Sequence, residues 1–487
     1  MFLLSGITNG VAQVTQGTST QGKEFWMSWG KNAYAASNGT TVVMGDNSRE
    51  ITLAIRVAVE KTTTVNFHFT NNPSLDSTQT VPANSIFTFN LSGAQKIAAF
   101  SNATGATTKS IYVTSDENVS VYAITQFNQS SDATLILPVN NLGTDYYHVS
   151  YRPAENENNY DGYTIVATED NTTLYMSDTI QAVLNAGDVY SYYFTPVQSK
   201  DGTGTHITSD NPIAYFVTNS MARVPYGGTS YARDPLYQQL FSVDKWGTNF
   251  IVPGTIQKIG RVRILASQDG TTVTQNSATG EATNPQSNAT VTGPAASYSL
   301  NTGKWIELEF KTAGCYISAD KPIIVCAYLV SNSYSNNTGG SGLGGNSGDP
   351  AMTYIPPIEQ SLNSVMIAPF IMSGSALATH YALIVTPTLT KDQTTVSIGG
   401  ATPTALGITW TDNADSGYSF GSYQLTQNTT YQFSNLNGMV VNGYGVGFNE
   451  SYYYVSGTAS RDLTAYYNIN NYFYSKIGER AAENFMR

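Results

Sequence analysis

The chain has 487 residues and a net charge of -11, with only 12% charged residues and 33 tyrosines. Its length calls for several modules rather than one core, and its shortage of Lys and Arg excludes nucleic acid and anionic membranes, the partners that positive charge would gather. Thr, Ser, Asn, Gly and Tyr fill the gap; Tyr and Thr suit half-buried pleated sheets, and no run of about 18 apolar residues predicts a membrane span.

At the N-terminus, Met1 to Leu4 resembles the end of an apolar export signal, and Gly10-Val11-Ala12 ends in a small residue that a signal peptidase accepts. Residues 1–20 are therefore assigned to a signal remnant and tail, with mature protein beginning near Gln13 and a true start upstream. Four repeats of about 100 residues follow, at 21–143, 144–247, 248–363 and 364–460. The stretch 461–487 reads as a tail that is open to continuation into a further module or an anchor.

The repeats share an order of features, which is the signature to seek first in a long chain. Each contains what reads as a hairpin, an apolar strand on either side of a Ser/Ala-Asp-x-Pro-like turn: Ile111–Tyr122, His206–Phe216, Cys315–Cys326 and a degenerate copy, Tyr431–Val441. Asp116, Asp210 and Asp320 are expected to cap these turns through their own backbone amides. Upstream lies a strand turning on Asp170, Asp269 or Asp392, then Leu-Asn-x-Gly (Leu184–Gly187, Leu300–Gly303) before an aromatic strand. Downstream, an Asp (Asp132, Asp234, Asp349) leads an apolar run into a short junction, so neighbouring repeats should pack rigidly. The pattern predicts an all-β protein of tandem β-sandwich-like repeats, about seven or eight strands each, with no helix before the tail. The alternative is a closed propeller-like ring, each repeat supplying two blades of about 40–45 residues.

Both cysteines, Cys315 and Cys326, flank the third turn symmetrically. A hairpin would bring their Cα atoms to about 4.5 Å and allow a disulfide; two buried free thiols are the other reading.

The order Gly22–Trp26, Ile111–Tyr122, Asp132–Pro138 and Leu142–Tyr147 resembles the N-terminal domain family of IgG-Fc-binding proteins, found in animal mucus proteins and large secreted bacterial proteins. The resemblance covers most of residues 20–455 and is weakest in the fourth repeat. It implies an extracellular or cell-surface role, often within a longer adhesin-like chain, and assigns antibody contact to no residue. The Asn/Thr/Tyr-rich style is similar to exported proteins of Bacteroidetes, and Asp76-Ser77-Thr78 and Asp178-Thr179-Ile180 resemble that group's O-glycosylation triplets, with Ser77 and Thr179 as acceptors.

No motif marks a catalytic centre. His68, His148, His206 and His380 have no metal-pair spacing. A glycoside hydrolase needs two carboxylates on one cleft; Glu169, Asp170, Asp234 and Asp349 are candidates, but the last three recur with the repeat and read as structural. No cofactor is expected; calcium is a weaker possibility at Asp-rich turns such as Gly45–Ser48 and Glu169–Asn171, which lack the spacing of a calcium loop. Between hairpin and recurring Asp, repeats two and three carry insertions at one repeat position, hence on one face. One holds Arg223, Tyr226, Tyr231 and Arg233, types that dominate binding hot spots; the other is the Gly-rich Gly339–Gly345. The leading function is therefore a surface adhesion or binding protein recognising glycan or protein through this loop face. Alternatives are a structural subunit assembling with itself into a layer, sheath or filament, and an extracellular glycoside hydrolase.

Overall fold

The computed structural model describes residues 19–464 and Tyr467, apart from 32–34, 45–49, 128–129, 155–158, 196–199, 227–231, 277, 281–296, 312–313, 338–347 and 371–376. The export segment, Gly45–Ser48, Tyr231, the Gly339–Gly345 loop and most of the C-terminal tail lie outside the described residues.

The chain is all-β, built from sandwich-like units of curled sheet. Their organising elements are four long strands, Ile111–Phe127, His206–Ala222, Cys315–Leu329 and Tyr431–Gly447. These are the segments that read as hairpins, and each is one continuous strand instead. The turn-like residues form a bulge. In the first long strand, two steps along the partner (Gly22 to Glu24) match five along the long strand (Val119 to Thr114). The same jump separates Gly143/Asp145, Gly247/Asn249 and Leu362/Ser364 from their partners. Asn-Pro and Lys-Pro are tolerated because bulged residues need not donate to the ladder. Asp210 and Asp320 accept from the backbone N–H of Thr173 (2.7 Å) and Thr272 (2.8 Å) on the neighbouring strand. Burial opposes ionisation of Asp210, but Thr173 and the amides of Asp210 and Asn211 hold its carboxyl below the usual range.

The bulge divides each long strand in two. Its first half alternates buried and part-exposed residues, and its second half is buried throughout. The reason is pairing. In the second unit the first half of His206–Ala222 pairs with Gly143–Tyr147 and Thr172–Met176, while the second half pairs with Gly162–Ala167 and the inner strand Asp234–Gln239. The corresponding inner strands of the other units are Ser130–Ile136, Ala351–Tyr354 and Glu450–Gly457. The four inner strands pack side by side in a closed cycle, first on second, second on third, third on fourth and fourth on first. Side chains tie them: Tyr237 N–H donates to Asp132 (2.7 Å), Gln239 N–H to Thr134 (2.8 Å), and Gln238 Nε2 to the carbonyls of Ala133 (2.6 Å) and Tyr453 (3.1 Å). Tyr452, Tyr453 and Tyr454 are each 1% exposed in this core. The ring closes where Thr20 N–H meets the carbonyl of Thr458 (2.9 Å).

Each junction is a single 3-10 turn, Val139–Asn141, Val243–Lys245 or Ile358–Gln360, followed at once by a strand. Between the second and third units, Arg263 is sealed in by Asp201 (2.7 Å), Glu307 (3.1 Å) and the carbonyl of Ser150 (2.7 Å), with the rings of Tyr151 and Trp305 at 4.1 Å.

Two further expectations are corrected. Cys315 and Cys326 are free and buried. They lie 11 positions apart on one extended strand, far beyond the Cα separation a disulfide tolerates, so the pairing fails with the hairpin that suggested it. A helix does precede the tail: Gly93–Ala99, opened by a capping box in which Ser92 and Gln95 each accept from the other's backbone N–H.

Ser77 is half-buried on the edge strand Ser77–Val81. Thr179 is exposed and opens the edge strand Thr179–Leu184, after a turn whose residues Ser177 and Asp178 have φ of 46° and 64°.

Candidate loop face and axial acids

The long strands end, and the inner strands begin, at one end of the ring. Hydrogen bonds link them round the axis. Ser131 N–H reaches Asp234 (3.4 Å), and Ser331 donates its N–H to the Val224 carbonyl (2.7 Å) and its hydroxyl to that of Ala232 (2.6 Å). Gly348 N–H donates to Gly447 (2.7 Å), and the Ser131 hydroxyl to Ser451 (2.9 Å).

Of the sequence-selected loop residues, Arg223, Tyr226 and Arg233 are described and sit here. Arg223 is buried, at 9% exposure. Tyr226 is half-buried, with the Arg152 guanidinium 3.9 Å above its ring, and Arg233 is half-buried. Sequence reading missed Arg152 and Phe448. Phe448 is 49% exposed at the tip of a two-residue hairpin between Gly447 and Glu450. An aromatic in a tight turn, where nothing can cover it, was the available signal.

Just inside this end, Asp132, Asp234, Asp349 and Glu450 lie within two residues of the start of the inner strands, none more than 2% exposed. The sequence supplied three of these; Glu450 is the fourth, at the matching place in the eroded unit. Burial pushes the carboxyls of Asp132, Asp234 and Asp349 well up. At Asp234 the neighbouring Asp349, Asp132 and Glu450 push further, against the hydrogen bond from Ser130. Oδ1 of Asp349 has no partner among the described residues. Like charges in a dry interior resist ionising together. Among the described residues no three His, Cys, Asp or Glu side chains are grouped to hold a metal ion.

The hydrolase candidates do not share a cleft: Glu169 and Asp170 lie on an exposed turn, while Asp234 and Asp349 are buried at the axis. Asp170 accepts from Ala186 N–H (3.0 Å) and Asp269 from Thr302 N–H (2.9 Å), so the recurring Asp turn is bonded to the recurring Leu-Asn-x-Gly turn. The histidines have local partners: His68 with Asp76 (2.7 Å), His206 with Asp145 (2.8 Å) and His380 with Tyr452 (2.9 Å). His148 lies between Tyr215 (2.8 Å) and Asp161 (3.1 Å), all three fully buried. Among the described residues no helix is long and apolar enough to cross a membrane.

The architecture defines a class: an all-β scaffold, cross-tied between units, that presents loops at one end of a closed ring. The chain belongs to the family described as IgGFc binding protein, which matches residues 132–445, nearly two thirds of its length. No curated protein matches it. Among solved structures it is similar to the major pilin protein (T3.2) from Streptococcus pyogenes serotype GAS13637, at 8% identity over 90% of this chain and 99% of that one. The TM-score of 0.12 is too low for any argument.

Proposed function

We propose that this chain is an extracellular binding protein that engages a protein or glycan partner through the loop end of its ring. The four units, 21–143, 144–247, 248–363 and 364–460, act as copies of one plan, and cell-surface adhesion is the role that plan serves. The observation that carries the reading is the convergence of Arg152-capped Tyr226, Arg233 and Phe448 on the end where hydrogen bonds lock adjoining units together. An aromatic and Arg surface held without flexible linkers loses little entropy on binding.

The family's description supplies the first probe, the Fc fragment of IgG. Surface plasmon resonance against Fc, with a glycan array beside it, should find a ligand. Tyr226→Ala with Phe448→Ala should weaken it by about tenfold or more, as expected for two hot-spot side chains. Absence of any ligand, or undiminished binding by the double variant, would overturn the proposal.

A further inference from the structure

A cleft of about 670 Å³ opens between the second and third units, away from the loop end. Its walls are the two bulges that the sequence presents as turns: Pro212 from one long strand and Asp320 to Pro322 from the next. The volume lies in the ordinary range for ligand sites.

Its chemistry is amphipathic on a small scale. Asp145 gives one carboxylate oxygen to His206 (2.8 Å), and Asp320 gives one to Thr272 N–H (2.8 Å). The second oxygen of each has no partner among the described residues. Each carboxylate is thus fixed by one atom and leaves another to accept from a ligand. The exposed Gln268 adds a side-chain amide. Between these polar groups, half-buried Pro212, Pro322 and Tyr467 offer apolar surface. Asp244 pairs with Lys245 (2.6 Å) and Asp145 with His206 (2.8 Å), while Lys321 gives its ammonium to the carbonyls of Asp269 and Gly270. An anion would meet the carboxylates, and a strongly cationic ligand would meet a site already supplied with an ammonium, that of Lys321 on the Asp269 and Gly270 carbonyls. A neutral ligand with hydroxyl edges and C–H faces satisfies both kinds of wall.

We infer that this cleft between the second and third units is a second binding site, one that takes a neutral oligosaccharide. Hydroxyls would donate to Asp145 and Asp320, and sugar C–H faces would lie on Pro212, Pro322 and Tyr467.

The test uses the full chain and ligand-observed saturation-transfer NMR with calorimetry. The probes are chitotriose, maltotriose and mannotriose, with sialyllactose and hexalysine as charged comparisons. At least one neutral trisaccharide should bind. Asp145→Ala, which removes an acceptor, and Thr144→Trp, which fills the mouth from an exposed position, should each raise its Kd about tenfold with unchanged thermal melting. Phe448→Ala should bind the sugar like wild type, which separates this site from the loop end. Failure of all three neutral sugars, equal binding by Thr144→Trp, or binding of hexalysine alone would overturn the inference.

Discussion

Arg263→Met is the sharpest test of how the units are joined. The guanidinium is 3% exposed and is the nearest cation to Asp201, whose side chain is equally buried. Burial alone would raise both acids, but Arg263 holds Asp201 below the usual carboxylate range, and Arg263 with Arg261 does the same for Glu307. Glu307 keeps Arg261 at 2.8 Å and the Tyr151 hydroxyl at 2.6 Å when Arg263 is lost. Among the described residues Asp201 keeps only Thr203, through its N–H at 3.0 Å and its side chain, so the damage concentrates there. Breaking a buried pair and stranding its partner costs about 3–5 kcal/mol. The pH sign follows. In wild type the depressed pKa of Asp201 adds stability above its unfolded pKa, and this is lost as pH falls. In Arg263→Met the stranded carboxyl is raised, so stability is lost as pH rises, and the deficit should be largest near pH 7 and shrink toward pH 4. Urea unfolding followed by tryptophan fluorescence reads this directly, since Trp305 lies 4.1 Å from the guanidinium. Adding Asp201→Asn should recover part of the loss. A variant within 1 kcal/mol of wild type at pH 7, or a deficit independent of pH, would refute the reasoning.

The axial acids make the opposite prediction to a surface carboxylate. With folded pKa values raised, Asp132, Asp234 and Asp349 stabilise most below about pH 4 and lose that contribution as pH rises, so the melting temperature of Asp349→Asn relative to wild type should climb from pH 4 to pH 8. Both thiols should resist maleimide in the folded protein and react on unfolding, because burial pushes the Cys315 thiol up to about 12 and Cys326 higher; intact mass showing a disulfide would contradict this. Ser92→Ala should cost about 1 kcal/mol by removing the helix cap, read from the shift in the unfolding midpoint; no shift would mean that the helix is held by tertiary contacts alone.

The sequence made the class legible because sheet formation is written locally: period-two alternation in Ile111–Tyr122, Tyr and Thr on half-buried faces, and the same acids recurring at the same places. Asp210 and Asp320, expected to cap hairpin turns through their own amides, instead reach across to Thr173 and Thr272 on the neighbouring strand, while Asp170 and Asp269 bond the Leu-Asn-x-Gly turns. The cysteine pairing and the hairpins failed together, for one reason. A Ser-Asp-x-Pro segment has the same local preferences whether it reverses the chain or only bulges it. What decides is whether strands such as Gly143–Tyr147 and Thr172–Met176 occupy one half while Gly162–Ala167 and Asp234–Gln239 occupy the other, and those partners are remote in sequence.

By itself, then, the sequence determined an all-β chain with few charges. Only the tertiary structure decided that the inner strands close on one another, that Glu450 joins three aspartates at their start, and that two bulges from different units form a cleft. Alternation and turn chemistry act between near neighbours, whereas ring closure and shared sites depend on burial between segments hundreds of residues apart, such as Thr20 and Thr458.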